Sequence, residues 1–326
     1  MKLSSAVGLG LAHSSGAVSF RYRREHRRVI SYVQAIVIGL LQGVTELFPV
    51  SSLGHSVLLP ALLGWHGVVA SQAAQESFYL AFLVGLHVAT ALALVVFFWR
   101  EWLLIIAGLA RSLRRRRVET AEERLGWLLV VASLPAGLVG VAFEHALRIL
   151  FAKPLAAAVF LTLNGAILLA GERLRRRIAP VAAPVPDGPG AARARVQPSR
   201  RLDTLAFGEA LLIGASQVLA FFAGISRSGV TMVAGLARGL SHEEAARFAF
   251  LLATPIILAA GLYKLPDFLG SNGDGVRGQI VAGSAVAGVA AWLSVRFLTR
   301  WFQTRTLTPF AVYCLAVGIA CIARFA

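Results

Sequence analysis

Between Arg28 and Arg100 the chain carries neither lysine nor arginine. The hydrocarbon core of a bilayer takes about 20 apolar residues per helix, and this interval holds several such stretches. A soluble domain of this length spreads charge over its whole surface. Here 15% of residues are charged and 57% are apolar, and mean hydropathy is +0.71. The chain therefore reads as an all-α polytopic membrane protein, with membrane lipid as its solvent. Its net charge of +16 would suit nucleic acid if the basic residues shared one face. They fall instead in runs between apolar spans, at Arg114 to Arg117 and Arg173 to Arg177. Cytoplasmic loops of membrane proteins show that pattern, so nucleic acid is set aside as a partner.

Apolar segments lie near residues 31–48, 56–64, 78–98, 125–142, 154–171, 205–224, 229–240, 247–264, 278–298 and 307–324. Residues 1–29 place their basic residues after a weak apolar run, the reverse of a secretory signal, and are expected to be a disordered basic tail. The remainder, 30–326, is read as one membrane domain. Two hydrophilic breaks interrupt it. Residues 99–124 carry seven arginines, and 172–203 carry eight. The second break includes a Pro/Ala/Gly stretch that cannot bury a core and predicts a flexible loop. Cys314 and Cys321 sit two helical turns apart, too far to bridge, and are expected to pack or face lipid.

The loop at 172–203 divides the domain into similar halves, repeat one at 31–171 and repeat two at 204–326. Aligning Ile38 with Ile213 pairs IGLLQGVTELFPVSSLGH with IGASQVLAFFAGISRSGV without a gap. Gly39 meets Gly214, Gln42 meets Gln217, Ser51 meets Ser226 and Gly54 meets Gly229. Each half supplies one interrupted segment followed by three ordinary spans. Broken helices at membrane depth persist only where protein or a cavity covers their backbone. Breaks at matching places in two halves point to the binding site. If each broken segment is a re-entrant hairpin, each half crosses three times and the second half is inverted. The hairpin arrangement puts Arg296, Arg300 and Arg305 on the cytoplasmic side with the two Arg-rich breaks but the basic tail outside, against the positive-inside rule. If each broken segment spans fully, the tail lies inside and Arg296 to Arg305 outside, so charge tests the hairpins, the preferred arrangement, only in part. The expected fold is therefore two inverted-topology repeats, each a re-entrant helix hairpin plus three transmembrane helices.

The first break holds Gln42, Glu46, Pro49, Ser51, Ser52, Gly54 and His55. Gln42 and Glu46 share a helix face, Pro49 ends that helix, and Ser51 and Ser52 open the next. A helix start presents free N–H groups and a positive dipole end to an anion. A carboxylate inside a membrane segment is costly and is by default functional. The second break holds Ser226, Arg227, Ser228, Gly229 and Thr231. Arg227 has no acid near it in sequence, and a guanidinium among hydroxyls and glycines suits phosphate. Together the breaks form an anion cradle opposite a carboxylate, a hydroxyl and an imidazole, the equipment of phosphoryl transfer. His87 and His145 show no partner in sequence and are read as packing or loop residues.

These motifs resemble those of the undecaprenyl-diphosphate phosphatase family linked to bacitracin resistance. That family carries Glu/Gln-x-x-x-Glu, Pro-Val-Ser-Ser-x-Gly-His and Pro-Gly-x-Ser-Arg-Ser-x-x-Thr, and this chain carries Gln42-x-x-x-Glu46, Pro49 to His55 and Gly224 to Thr231. The resemblance spans about residues 31–326. Gln42 stands where the family often has an acid, and Ala223 replaces a proline. The resemblance implies an enzyme of the plasma (inner) membrane that hydrolyses undecaprenyl diphosphate to undecaprenyl phosphate and inorganic phosphate, recycling the lipid carrier of cell-wall synthesis. Glu46, Ser52, His55 and Arg227 are the expected catalytic residues. Gln42, Ser51, Ser226, Ser228 and Thr231 are the expected substrate-binding residues. Glu46 is also a candidate ligand for a divalent cation, Mg²⁺ or Ca²⁺. Ser52, His55 and water stay open as nucleophile, and a homo-oligomer stays open as the assembly. A transporter or flippase with the same cradle is the main rival. A type-2 phosphatidic acid phosphatase is a lesser one, since after Ser226-Arg227 the first histidine is His242, with Glu243 and no suitable aspartate beside it.

Overall fold

The computed structural model describes residues 30–72, 78–151, 153–178, 200–264 and 276–326. The expected tail at 1–29 and most of the expected loop, residues 179–199, lie outside the described residues, as does part of His145's surroundings. The described residues are helical, with one isolated backbone bridge between Arg200 and Leu240. Five helices are long and apolar enough to cross a membrane, or six if a bent pair counts as one. Large apolar side chains point outward all round them, among them Leu138 at 70% exposure, Val141 at 72% and Val289 at 63%. Exposed apolar surface on this scale marks a lipid-facing protein. The chain is a multi-pass membrane protein.

Helix α1 (Tyr32–Thr45) starts at a capping box in which the Ser31 hydroxyl and the Gln34 side chain each satisfy the other's backbone N–H. It ends before Pro49, and α2 (Ser52–Leu62) begins at once, with Ser51 as its cap. After short α3 (His66–Gln72) come α4 (Phe78–Phe97) and α5 (Trp99–Arg115), which meet at 86°. Helices α6 (Ala121–Phe151) and α7 (Pro154–Ile178) complete the first half. The second half runs α8 (Phe207–Ser216), a 3₁₀ turn (Gln217–Phe221), α9 (Arg227–Leu236), α10 (His242–Tyr263), α11 (Arg277–Thr304) and α12 (Thr308–Phe325).

Two hydrophilic breaks differ from the sequence reading. The first is mostly helix α5. Its inner face, Ile105, Gly108 and Ser112, packs on α6 while Leu103, Leu104 and Ile106 face outward. Arginines at the end of an amphipathic helix had masked its period. The second break starts later than residue 172, because α7 continues to Ile178. Glu172 is buried there and accepts from the Leu307 amide at 2.7 Å and pairs with His242 Nε2 at 2.5 Å. That contact ties α7, α10 and α12 together.

The register that aligns Ile38 with Ile213 also aligns the first residues of α1 and α8, Tyr32 and Phe207, and of α2 and α9, Ser52 and Arg227. Packing is reciprocal. Helix α1 lies along α11 of the other half, and α8 lies along α6 of the first. Small residues permit both contacts, as they do between membrane helices generally. A Cβ at Gly39 would sit 2.3 Å from the Gly283 carbonyl oxygen, and one at the matching Gly214 would sit 2.0 Å from that of Ala132. Gly137 on α6 has nothing within 4 Å of such a Cβ.

These distances predict opposite outcomes for one chemical change. Gly39→Ala must push α1 off α11 and is expected to destabilise by about 1–3 kcal/mol or more. Gly137→Ala should be neutral or stabilising by up to about 1 kcal/mol, since alanine favours the helix. Thermal melts of the two variants in one detergent check the pair.

Candidate active site

The two breaks meet. Helix α1 ends at Thr45, a turn through Pro49 follows, and the chain reverses at Ser51, whose φ of 70° is unusual for a residue with a Cβ. The Ser51 hydroxyl accepts from the Gly54 amide of its own hairpin and from the Gly224 amide of the other, each at 3.2 Å. Gly224 has φ 115°, and a side chain there would lie 2.4 Å from the Ala157 carbonyl oxygen. Only glycine fits both demands. Asn164, fully buried on α7, closes the junction. Its Nδ2 donates to the Pro49 carbonyl at 3.0 Å and its Oδ1 accepts from the Ser226 amide at 2.9 Å. One side chain thus satisfies a freed backbone group from each hairpin, which a membrane interior requires.

At this junction Ser52 and Arg227 each occupy the first position of a helix. Between them lies Glu46, 8% exposed. Its Oε1 pairs with Arg227 Nη2. Its Oε2 accepts from Ser52 Oγ at 2.5 Å and from Gln42 Nε2 at 2.8 Å, with His87 Nε2 at 3.3 Å. Arg227 Nη1 also donates to the Ala253 carbonyl at 3.3 Å. The groups open onto a cavity of about 370 Å³. Its polar end is Glu46, Ser52, His87 and Arg227, and its walls include Val84, Ala136, Phe221, Ile256, Ile257 and Ala260. An amphiphile with an anionic head matches this division.

The sequence candidates separate into two groups. Glu46, Ser52 and Arg227 come together, and Gln42 joins them through Glu46. Ser51 and Ser226 touch the cavity, but their hydroxyls cap α2 and α9. The hydroxyls of Ser226 and Ser228 lie 3.1 Å apart and both point to the Phe48 carbonyl. Thr231 is buried outside the cavity lining. His55 turns the other way. Its Nδ1 lies 2.7 Å from the Ser51 carbonyl, which can only accept, and its Nε2 lies 2.8 Å from the Tyr313 hydroxyl on α12. Both ring nitrogens are engaged, and the ring stacks on Tyr313. His55 lies one turn beyond Ser52, yet its ring reaches to α12 and not into the cavity.

His87 corrects the sequence reading: it is a member of the site. An ionisable residue in the middle of an apolar span is the same signal that marked Glu46. Asn164, a lone amide within α7, carried a weaker form of it. His242 lies against Glu172 rather than beside Arg227, which removes the arrangement that the type-2 phosphatidic acid phosphatase reading needs.

A carboxylate offers about four lone-pair sites; Gln42, Ser52 and Arg227 donate to Glu46, and the His87 imidazole lies 3.3 Å away. Among the described residues no three His, Cys, Asp or Glu gather as metal ligands. A single carboxylate already paired with a guanidinium does not fit Mg²⁺ or Ca²⁺, which want several oxygen ligands. No step below is routed through a metal.

Fold and site together define a multi-pass membrane protein with a buried pocket that carries an arginine and a carboxylate among apolar walls. The chain belongs to the bacitracin resistance protein BacA family, whose model matches residues 35–320. It is 55% identical to undecaprenyl-diphosphatase 2 of Frankia alni over 91% of this chain and 98% of that one. It is 58% identical to the undecaprenyl-diphosphatase of Mycolicibacterium paratuberculosis over 89% and 95%. Identity to the Granulibacter bethesdensis undecaprenyl-diphosphatase is 45% over 89% and 96%.

Replacing Asn164 by alanine would leave the Ser226 amide unpaired and the Pro49 carbonyl with only the long contact from Cys314 Sγ at 3.9 Å. The expected cost is about 1–3 kcal/mol per orphaned group, seen as a lower melting temperature together with reduced turnover. An unchanged melt would show that the junction does not depend on Asn164.

Proposed function

We propose that this chain hydrolyses undecaprenyl diphosphate to undecaprenyl phosphate and inorganic phosphate at the bacterial plasma membrane. The observation that carries the reading is the buried contact of Arg227 with Glu46, on which Ser52 also rests. The relatives' names supply the substrate, and the cavity's polar end and apolar walls suit a diphosphate on a polyprenyl tail.

The chemistry follows from the contacts. The diphosphate draws the Arg227 guanidinium, which offers two parallel N–H groups to phosphate oxygens. Ser52 Oγ attacks the terminal phosphorus and its proton passes to Glu46, with which it is already in hydrogen-bond reach. The bond from that phosphorus to the bridging oxygen breaks, and undecaprenyl phosphate leaves along the apolar walls. The leaving phosphate takes the proton from Glu46, so the carboxylate can act again: water attacks the seryl phosphate and gives its proton to Glu46, the bond from phosphorus to Ser52 Oγ breaks, and Glu46 returns that proton to the Ser52 oxygen as inorganic phosphate departs. His55 has no part in these steps. It fixes the turn at Ser51 through its backbone contact and α12 through Tyr313.

The reading extends to topology. The two halves are inverted repeats whose hairpins enter from opposite faces and meet within the membrane. The shared register of helix starts and the reciprocal packing of α1 on α11 and α8 on α6 support this.

Purified protein in detergent should release phosphate from undecaprenyl diphosphate. Arg227→Ala should lower turnover by about 10²–10³-fold, the cost of losing a transition-state donor. Ser52→Ala should abolish it, and wild type quenched during turnover should carry phosphate on Ser52. Substantial turnover by Ser52→Ala would assign the attack to water. Lipid binding without phosphate release by wild type would make the protein a carrier instead.

A further inference from the structure

His87 stands on α4, in the membrane-spanning part of the first half, and the steps above do not use it. Its Nδ1 lies 2.8 Å from the Leu83 carbonyl one turn back. That oxygen only accepts, so Nδ1 carries a proton and the ring plane is fixed. Nε2 therefore faces the pocket, 3.3 Å from Glu46 Oε2. The imidazole and the carboxylate are thus in close polar contact. The side chain is 28% exposed, toward the cavity. The other charged groups of the cavity are Glu46 and Arg227, and α6 and α10 contribute apolar residues such as Ala136 and Ile256.

Gln42 and Ser52, which donate to Oε2, both belong to the hairpin that carries Glu46. They move with it. His87 comes from a different helix and supplies an independent fixed point. Arg227 supplies another, but only until the substrate's diphosphate takes the guanidinium. From then on Oε1 has lost its partner, and the carboxylate is free to turn about its own bonds unless something outside the hairpin holds Oε2.

We propose that His87 is a positioning residue for the hydrolysis: through Nε2 it holds Glu46 so that Oε2 stays on the Ser52 hydroxyl while Arg227 binds phosphate. The inference rests on the function proposed above. What the site needs from His87 is a hydrogen-bond contact at a fixed point rather than a proton carried away. Glutamine, whose amide nitrogen reaches about as far and always donates, should serve in its place.

Steady-state kinetics of phosphate release from undecaprenyl diphosphate, for wild type, His87→Ala and His87→Gln, test this. Thermal melts accompany them to establish that each variant folds. The alanine variant is expected to lose about 10- to 100-fold in kcat, the scale of a misplaced catalytic group, with KM nearly unchanged. The glutamine variant should recover most of that loss. Should the alanine variant fail to fold, His87→Leu, closer in volume, takes its place. An alanine or leucine variant as fast as wild type would overturn the proposal and leave the phosphatase reading standing. So would a glutamine variant as slow as alanine, which would make His87 a proton carrier, or a rise in KM alone, which would make it a substrate contact. A wild type that releases no phosphate would sink the functional reading itself.

Discussion

The guanidinium of Arg227 and the carboxylate of Glu46 come from opposite halves of the chain and meet where water is scarce. Each charge alone would be costly at that depth. Paired, they make it possible for two broken helices to end inside the protein, and they bring Ser52 to the carboxylate's second oxygen. The surrounding architecture keeps this pair in place. Asn164 and Ser51 pin the two turns to each other, and glycines on α1 and α8 let each hairpin lie close along a helix of the other half.

A resting salt bridge is also a poised one. On the proposed reading, the pairing that neutralises Arg227 gives way to a diphosphate, which carries more negative charge than a carboxylate can offer. Binding would then be an exchange of partners rather than the burial of an unpaired cation, and would release the proposed base as the substrate enters. Val84, Ile256 and Ala260 give the pocket apolar walls beside its charged groups, surroundings that would suit the head and the tail of one amphiphile.

Much of this was legible in the residues. Composition and the lysine- and arginine-free interval marked a membrane protein, and the ungapped likeness of the two breaks pointed to the place where they converge. Glu46, Ser52 and Arg227 were found because a carboxylate, a hydroxyl and a guanidinium do not sit in apolar helices without a reason. What stayed hidden depended on helix rotation and tertiary contact. His55 is one turn from Ser52 yet its ring goes to Tyr313 on α12, because helical spacing fixes neither a side chain's rotamer nor the distant helix it meets. His87 is far in sequence and was passed over, since nothing local shows which distant helix a lone imidazole meets. The hydroxyls of Ser51, Ser226 and Ser228 suited phosphate on paper, but broken helices leave backbone groups that claim such hydroxyls first. Helix α5 was obscured by its arginines, which lie at its ends and along its outer side.

Ser52 and Arg227 stand at the same place in their respective halves, each the opening residue of a helix behind a serine cap. Two identical halves related by a twofold axis would set serine against serine or arginine against arginine, a nucleophile without its anion clamp or the reverse. Covalent linkage of the halves is what frees one position from copying the other. The asymmetry of the chemistry is thus licensed by fusion, and a dimer built from a single half could not reproduce it.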